Sequence, residues 1–118
     1  MPQTNFENLE IYQLSEQLLD EIWRLTKTWS AFEKSTLGGQ IVRSADSIGA
    51  NIAEGTGRGS KPETRRFARM ARGSLNETQH WLRRAYRRDL LNQEDIERLK
   101  PLVDELAPRL NAYIRSIM

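Results

Sequence analysis

At 118 residues the chain has room for one compact domain, residues 1–118, and a second catalytic domain within it is not expected. With 38% hydrophobic and 29% charged residues it has the make-up of a soluble protein. Zero cysteines and a single histidine, His80, remove disulfides, thiol nucleophiles, Ser-His-Asp triads and zinc centres, which leaves only carboxylate chemistry for an active site.

Apolar residues recur at helical spacing and no stretch alternates as a strand would, so the expected fold class is all-α. In the first segment Ile11, Leu14, Leu18, Ile22, Leu25 and Trp29 step by three and four, which predicts a helix over 7–28. Thr4 and Glu7 have capping-box spacing ahead of it, with a start at Asn8 as the alternative. Residues 29–34 read as a tight, partly apolar connection. A second helix is predicted from an N-cap at Thr36 to Glu54 or Gly57, with Ile41, Ala45, Ile48 and Ile52 as its apolar stripe. The glycines of Gly55-Thr56-Gly57-Arg58-Gly59 end it.

Ser60 followed by Glu63 marks the next start, with Pro62 in the first turn. The third helix is predicted over 61–88, its seam formed by Ala68, Ala71, Leu75, Thr78, Leu82 and Ala85 and widened by Phe67, Ser74, Trp81 and Tyr86. Asn92 with Asp95 three residues on caps a fourth helix, in which Ile96, Leu99, Val103, Leu106, Leu110, Tyr113 and Ile117 form one stripe. Pro101 and Pro108 fall inside it, seven apart and opposite that stripe, where they are expected to curve the helix rather than break it. Four amphipathic helices with short connections predict an antiparallel up-and-down four-helix bundle about 30 Å long. No apolar run approaches the roughly 20 residues that cross a bilayer, and Met1-Pro2-Gln3-Thr4-Asn5 lacks the features of a secretion signal, so the expected location is cytoplasmic, with no membrane partner.

Charge is distributed by segment. The net charge is +2, but Arg58, Lys61, Arg65, Arg66, Arg69, Arg72, Arg83, Arg84, Arg87 and Arg88 face only Glu63 and Glu77 within residues 58–88, while the flanking segments are net acidic. At 100° per residue, Arg65, Arg69, Arg72, Arg83 and Arg87 fall within about 60° of one another, and Arg66, Arg84 and Arg88 extend the arc away from the seam. Such a face suits phosphate or carboxylate equally well. One reading is a polyanion-binding surface. The other pairs these cations with Glu7, Glu10, Glu16, Asp20 and Glu21 of the first helix, within the chain or between subunits.

A polar stripe, Gln40, Ser44, Ser47, Asn51, Glu54 and Arg58, runs beside the apolar stripe of the second helix. Its plain reading is close helix approach at the hydroxyls, with Asn51 and Glu54 hydrogen-bonded to a neighbouring helix or subunit. Its sharper reading is a pocket with Glu54 as a base, for which no partner group is visible. His80 reads as solvated or stacked on Trp81. Trp23, Trp29 and Trp81 read as filling a core or subunit interface, with base stacking as the alternative.

Arg43-Ser44-Ala45-Asp46-Ser47-Ile48-Gly49-Ala50-Asn51-Ile52-Ala53-Glu54-Gly55, Gly57-Arg58-Gly59-Ser60-Lys61-Pro62-Glu63 and Gly73-Ser74-Leu75-Asn76-Glu77 carry a resemblance that spans nearly the whole chain. They resemble the bacterial four-helix-bundle proteins encoded within intervening sequences of large-subunit ribosomal RNA genes, a family to which the accessory variability proteins of diversity-generating retroelements are similar. The resemblance implies an up-and-down bundle assembled as a homopentameric ring, a basic surface for nucleic acid, and no enzyme activity. It also implies structural roles for Ser44, Ser47, Asn51, Glu54, Gly55 and Ser74. Pro101 and Pro108 belong to no motif of the family.

The expected function is therefore non-enzymatic binding of RNA or DNA through phosphates, with little base specificity, by Arg58, Lys61, Arg65, Arg66, Arg69, Arg72, Arg83, Arg84, Arg87 and Arg88. The alternative is an interaction scaffold or accessory subunit whose basic face is ion-paired to a partner, such as a reverse transcriptase, or to a neighbouring subunit. No cofactor or metal is expected.

Overall fold

The structure, a computed structural model, describes residues 1–117. Four long helices carry it: α1 (Glu10–Thr26), α2 (Gly39–Thr56), α3 (Lys61–Arg87) and α4 (Gln93–Ser116). Each packs on its two ring neighbours, α1 on α2 and α4, and α3 on α2 and α4, which is the up-and-down bundle. Among the described residues no helix is long and apolar enough to cross a membrane.

Leu18, Ile22, Ile41, Ile48, Ile52, Leu75, Leu106 and Leu110 are sealed at the centre, at most 2% exposed. Each buried aliphatic side chain of this size contributes about 1.5–3 kcal/mol. A second, smaller cluster of Trp29, Leu37 and Ala85, flanked by Leu25, Trp81, Leu90 and Leu91, closes one end of the bundle.

Several boundaries differ from the sequence reading. Thr4 and Glu7 do cap, with the Thr4 amide and hydroxyl donating to Glu7 Oε1 at 2.7 and 2.8 Å, but what they open is a 3-10 turn, Asn5–Asn8. These bonds hold the Glu7 carboxyl below its ordinary range. The helix proper starts only at Glu10, after Leu9 turns to extended backbone. The second helix has its cap at Ser30, whose Oγ accepts from the Glu33 amide at 3.2 Å, and not at Thr36. Helical turns then run through Ala31–Glu33 and a π-turn, Lys34–Gly38, directly into α2. The Thr36 hydroxyl instead donates back to the Phe32 carbonyl at 2.8 Å, the local bond that competes with capping.

The other two starts match the reading. Ser60 Oγ accepts from the Glu63 amide at 3.3 Å. Asn92 Oδ1 accepts from the Asp95 amide at 2.8 Å while Asp95 Oδ2 accepts from the Asn92 amide at 2.9 Å. Between α3 and α4 the chain reverses at Asp89, φ 59°, with the Leu90 amide donating to the Ala85 carbonyl at 2.9 Å, a Schellman closure. Pro101 and Pro108 lie exposed within an unbroken α4. The longest axis is 43 Å rather than about 30 Å, because α3 has 27 residues and reaches about 40 Å by itself.

Candidate nucleic-acid interface

Helix α3 owes its length to a strong start, an unbroken apolar seam and a late stop, and it displays its cations in two clusters away from that seam, residues 61–72 and 83–88, separated by about 16 Å of neutral and acidic residues. Lys61, Arg66, Arg69, Arg72, Arg83, Arg87 and Arg88 are exposed, as is Arg58 in the preceding loop, while Arg65 and Arg84 are half-buried. Only two of these ten cations meet a carboxylate among the described residues. Arg58 pairs with Glu54 at 3.2 Å and Arg66 with Glu63 at 3.0 Å, both local. The same two guanidinium groups lie over the Phe67 ring, 4.8 and 4.6 Å from its centroid, and roof it from water. The sequence reading did not find this clamp, which needs the 55–59 loop folded back on α3.

None of the acidic residues named for the first helix meets the ridge among the described residues: with α1 and α3 at opposite corners of the bundle, Glu10 pairs with Arg109 of α4, Glu21 with Arg24, and Glu7, in the 3-10 turn, with Thr4. Intrachain pairing of the ridge with α1 is thus not what the fold builds.

Two ridge side chains do tie α3 to α4. Arg65 donates to the Ile117 carbonyl at 3.0 Å and Arg72 to Asn111 Oδ1 at 3.3 Å. They close the upper part of the α3–α4 seam. Toward the connection between the two helices a groove of about 760 Å³ lies between residues 76–86 and residues 91–104. Tyr86, read from the sequence as part of the seam, stands at its edge, 51% exposed. His80 stacks edge-on against Trp81 at 4.7 Å, and the Trp81 indole donates to Glu77 Oε2 at 3.0 Å. Trp29 is buried and Trp23 is 55% exposed on α1.

The polar stripe of α2 is structural where it is buried. The Thr78 hydroxyl reaches across from α3 to Ser44 Oγ at 3.0 Å, sharing its single hydrogen with the Ser74 carbonyl at 2.8 Å. Gly55 is buried where α3 crosses: a Cβ there would stand 3.0 Å from Phe67 Cβ and 3.2 Å from the Thr64 carbonyl oxygen, while the Thr64 hydroxyl donates to the Gly55 carbonyl at 2.9 Å. Asn51 and Glu54, expected to reach a neighbouring helix or subunit, reach no neighbouring helix among the described residues. The Asn51 amide donates to the Ser47 carbonyl at 2.8 Å, the Ser47 hydroxyl to the Arg43 carbonyl at 2.9 Å, and Glu54 is exposed with Arg58 beside it. Beside this stripe, in the α1–α2 cleft, burial and the neighbouring Glu16 push the Tyr12 phenol up to about 12.

The molecule is thus an up-and-down four-helix bundle with one long cationic helix, and this class can be narrowed. Residues 7–112 match the family of 23S rRNA-intervening sequence proteins, and the chain belongs to that family. It is also similar to a crystal structure of a protein with unknown function, from the S23 ribosomal protein family, of Bacteroides thetaiotaomicron. The TM-score is 0.77 at 27% identity, over 88% of this chain and 97% of that one. A search of curated proteins finds no match.

Proposed function

We propose that this protein is a non-enzymatic nucleic-acid-binding bundle that holds RNA or DNA by its phosphates along α3. The observation that carries the reading is the cost left unbalanced on that helix. Lys61, Arg65, Arg69, Arg72, Arg83, Arg84, Arg87 and Arg88 gather along about 40 Å with no carboxylate within 4.0 Å among the described residues. Like charges held together without partners oppose folding, and a polyanion supplies what the chain does not. Guanidinium groups suit phosphate oxygens, and displaced counterions drive the association. Self-association into a ring, as the family resemblance implies, would set several ridges on one scaffold and raise avidity without new contacts.

Among the described residues Arg69, Arg87 and Arg88 make no side-chain bond, whereas Arg65 and Arg72 anchor α4, so the first three give the cleaner test. Binding to a structured RNA, followed by polarisation between 50 and 200 mM salt, is expected to weaken by about a thousandfold if six phosphates are engaged. Changing Arg69, Arg87 and Arg88 to glutamine should reduce the log–log salt slope by about three without lowering the melting temperature. A slope that is shallow in the parent, or unchanged in the variant, refutes the reading. Light scattering on the same samples reports the assembly.

An interaction scaffold for a protein partner, such as a reverse transcriptase, is the second reading. It is favoured by Trp23 and Phe32, large apolar side chains 55% and 75% exposed.

A further inference from the structure

We infer that the groove between α3 and α4 is a stacking pocket for an unpaired nucleobase, so that the ligand is a single strand or a loop rather than a uniform duplex. This deepens the phosphate-binding reading and rests on it. The groove lies in line with the ridge. Arg65, Arg72 and Arg83 share one side of α3, the first two close the seam over α4, and Arg83 lines the open part.

The lining has three kinds of surface. Leu82, Ile96, Leu99 and Val103 make an apolar floor. Tyr86 rises from the α3 wall with half its surface in solvent, an aromatic side chain beside that floor. Two neutral amides, Asn76 and Gln79 on α3, stand around it, each with both a donor and an acceptor, while Gln93 on α4 donates to Glu97 Oε1 at 3.4 Å.

Charge then selects the occupant. The one carboxylate in the lining, Asp104, is engaged by Lys100 of the same helix, while Arg83 has no carboxylate partner among the described residues. Arg83 lines the groove, and Arg87 follows one turn on along the ridge. A nucleotide whose base lies on Tyr86 would therefore place its phosphates among free guanidinium groups. Base–aromatic stacking is tolerant of sequence, which agrees with a ridge that reads no base edges. Paired bases cannot enter, because their faces are already stacked on neighbours.

The test compares a hairpin RNA with an unpaired apical loop and a fully paired duplex carrying the same number of phosphates, each labelled with 2-aminopurine. Tyr86→Leu keeps the apolar contact and removes the ring; Tyr86→Phe restores it. Tyr86→Leu is expected to weaken hairpin binding about tenfold and abolish the quenching of loop 2-aminopurine, with duplex affinity unchanged and Tyr86→Phe close to the parent. If Tyr86→Leu binds the hairpin as tightly as the parent, while the variant lacking Arg69, Arg87 and Arg88 binds weakly, the pocket is refuted and the phosphate ridge stands. If the parent binds neither RNA, both readings fall. The DNA counterparts of the two ligands show whether the pocket distinguishes the sugars.

Discussion

Two glycines show how much a single hydrogen atom decides in this bundle. Gly55 sits where α2 and α3 cross, and an alanine Cβ would meet Phe67 and Thr64 at distances that force one helix to move. Gly73, on the exposed face of α3, has nothing within 4 Å of the same position. Gly55→Ala is expected to destabilise by about 1–3 kcal/mol even after its gain in helix propensity. Gly73→Ala should stabilise by about 0.5–1 kcal/mol, and thermal melts of the two variants should move in opposite directions. Gly55 stood out in the sequence within a dense motif. That its role is close approach rather than ending the helix emerged only with Phe67 and Thr64 in place, since α2 continues to Thr56. Tyr86 is the converse case. It lies eighteen residues, five full turns, beyond Ala68 and so at the same azimuth of α3, yet Ala68 is 1% exposed and Tyr86 51%. Helical periodicity assigns both to the seam, and what distinguishes them is tertiary: Ala68 packs in the core whereas Tyr86 lines the open groove between α3 and α4.

At the scale of elements, local chemistry accounts for most starts and stops. Ser60 and Asn92 bond the amides three residues ahead, and Asp89 takes the left-handed turn that ends α3. The misreading at Thr36 arose because a serine six residues earlier caps first and the chain stays helical through the π-turn to Gly39. The prolines of α4 are a different matter. Pro101 and Pro108 take away the amides that would donate to the carbonyls of Glu97 and Asp104, and no buried contact compensates, since both rings are exposed. Replacing either with alanine is expected to stabilise the fold by up to about 3 kcal/mol, read as a higher denaturant midpoint with an unchanged slope. A lower midpoint would mean that a curved α4 is needed to wrap the core.

Across the whole molecule, the dominant electrostatic feature is repulsion along α3. The salt bridges among the described residues join mostly neighbours three or four apart on exposed helix surfaces, which contribute at most about 1 kcal/mol each. The ridge, by contrast, is long and unpartnered. Raising sodium chloride from low to moderate concentration is therefore expected to raise the melting temperature, by screening the ridge more than it weakens the pairs. A melting temperature that falls with salt would show that the ion pairs dominate. Sequence by itself determined the all-α class, the four helices, the core stripe of each and the segment that carries the positive charge, because these depend on spacing along one chain. Tertiary structure alone decided which cations are free, which anchor α4 and where a groove is left between α3 and α4. Those outcomes depend on which side chains of two different helices meet at a given level of the bundle, which no periodicity within either helix encodes.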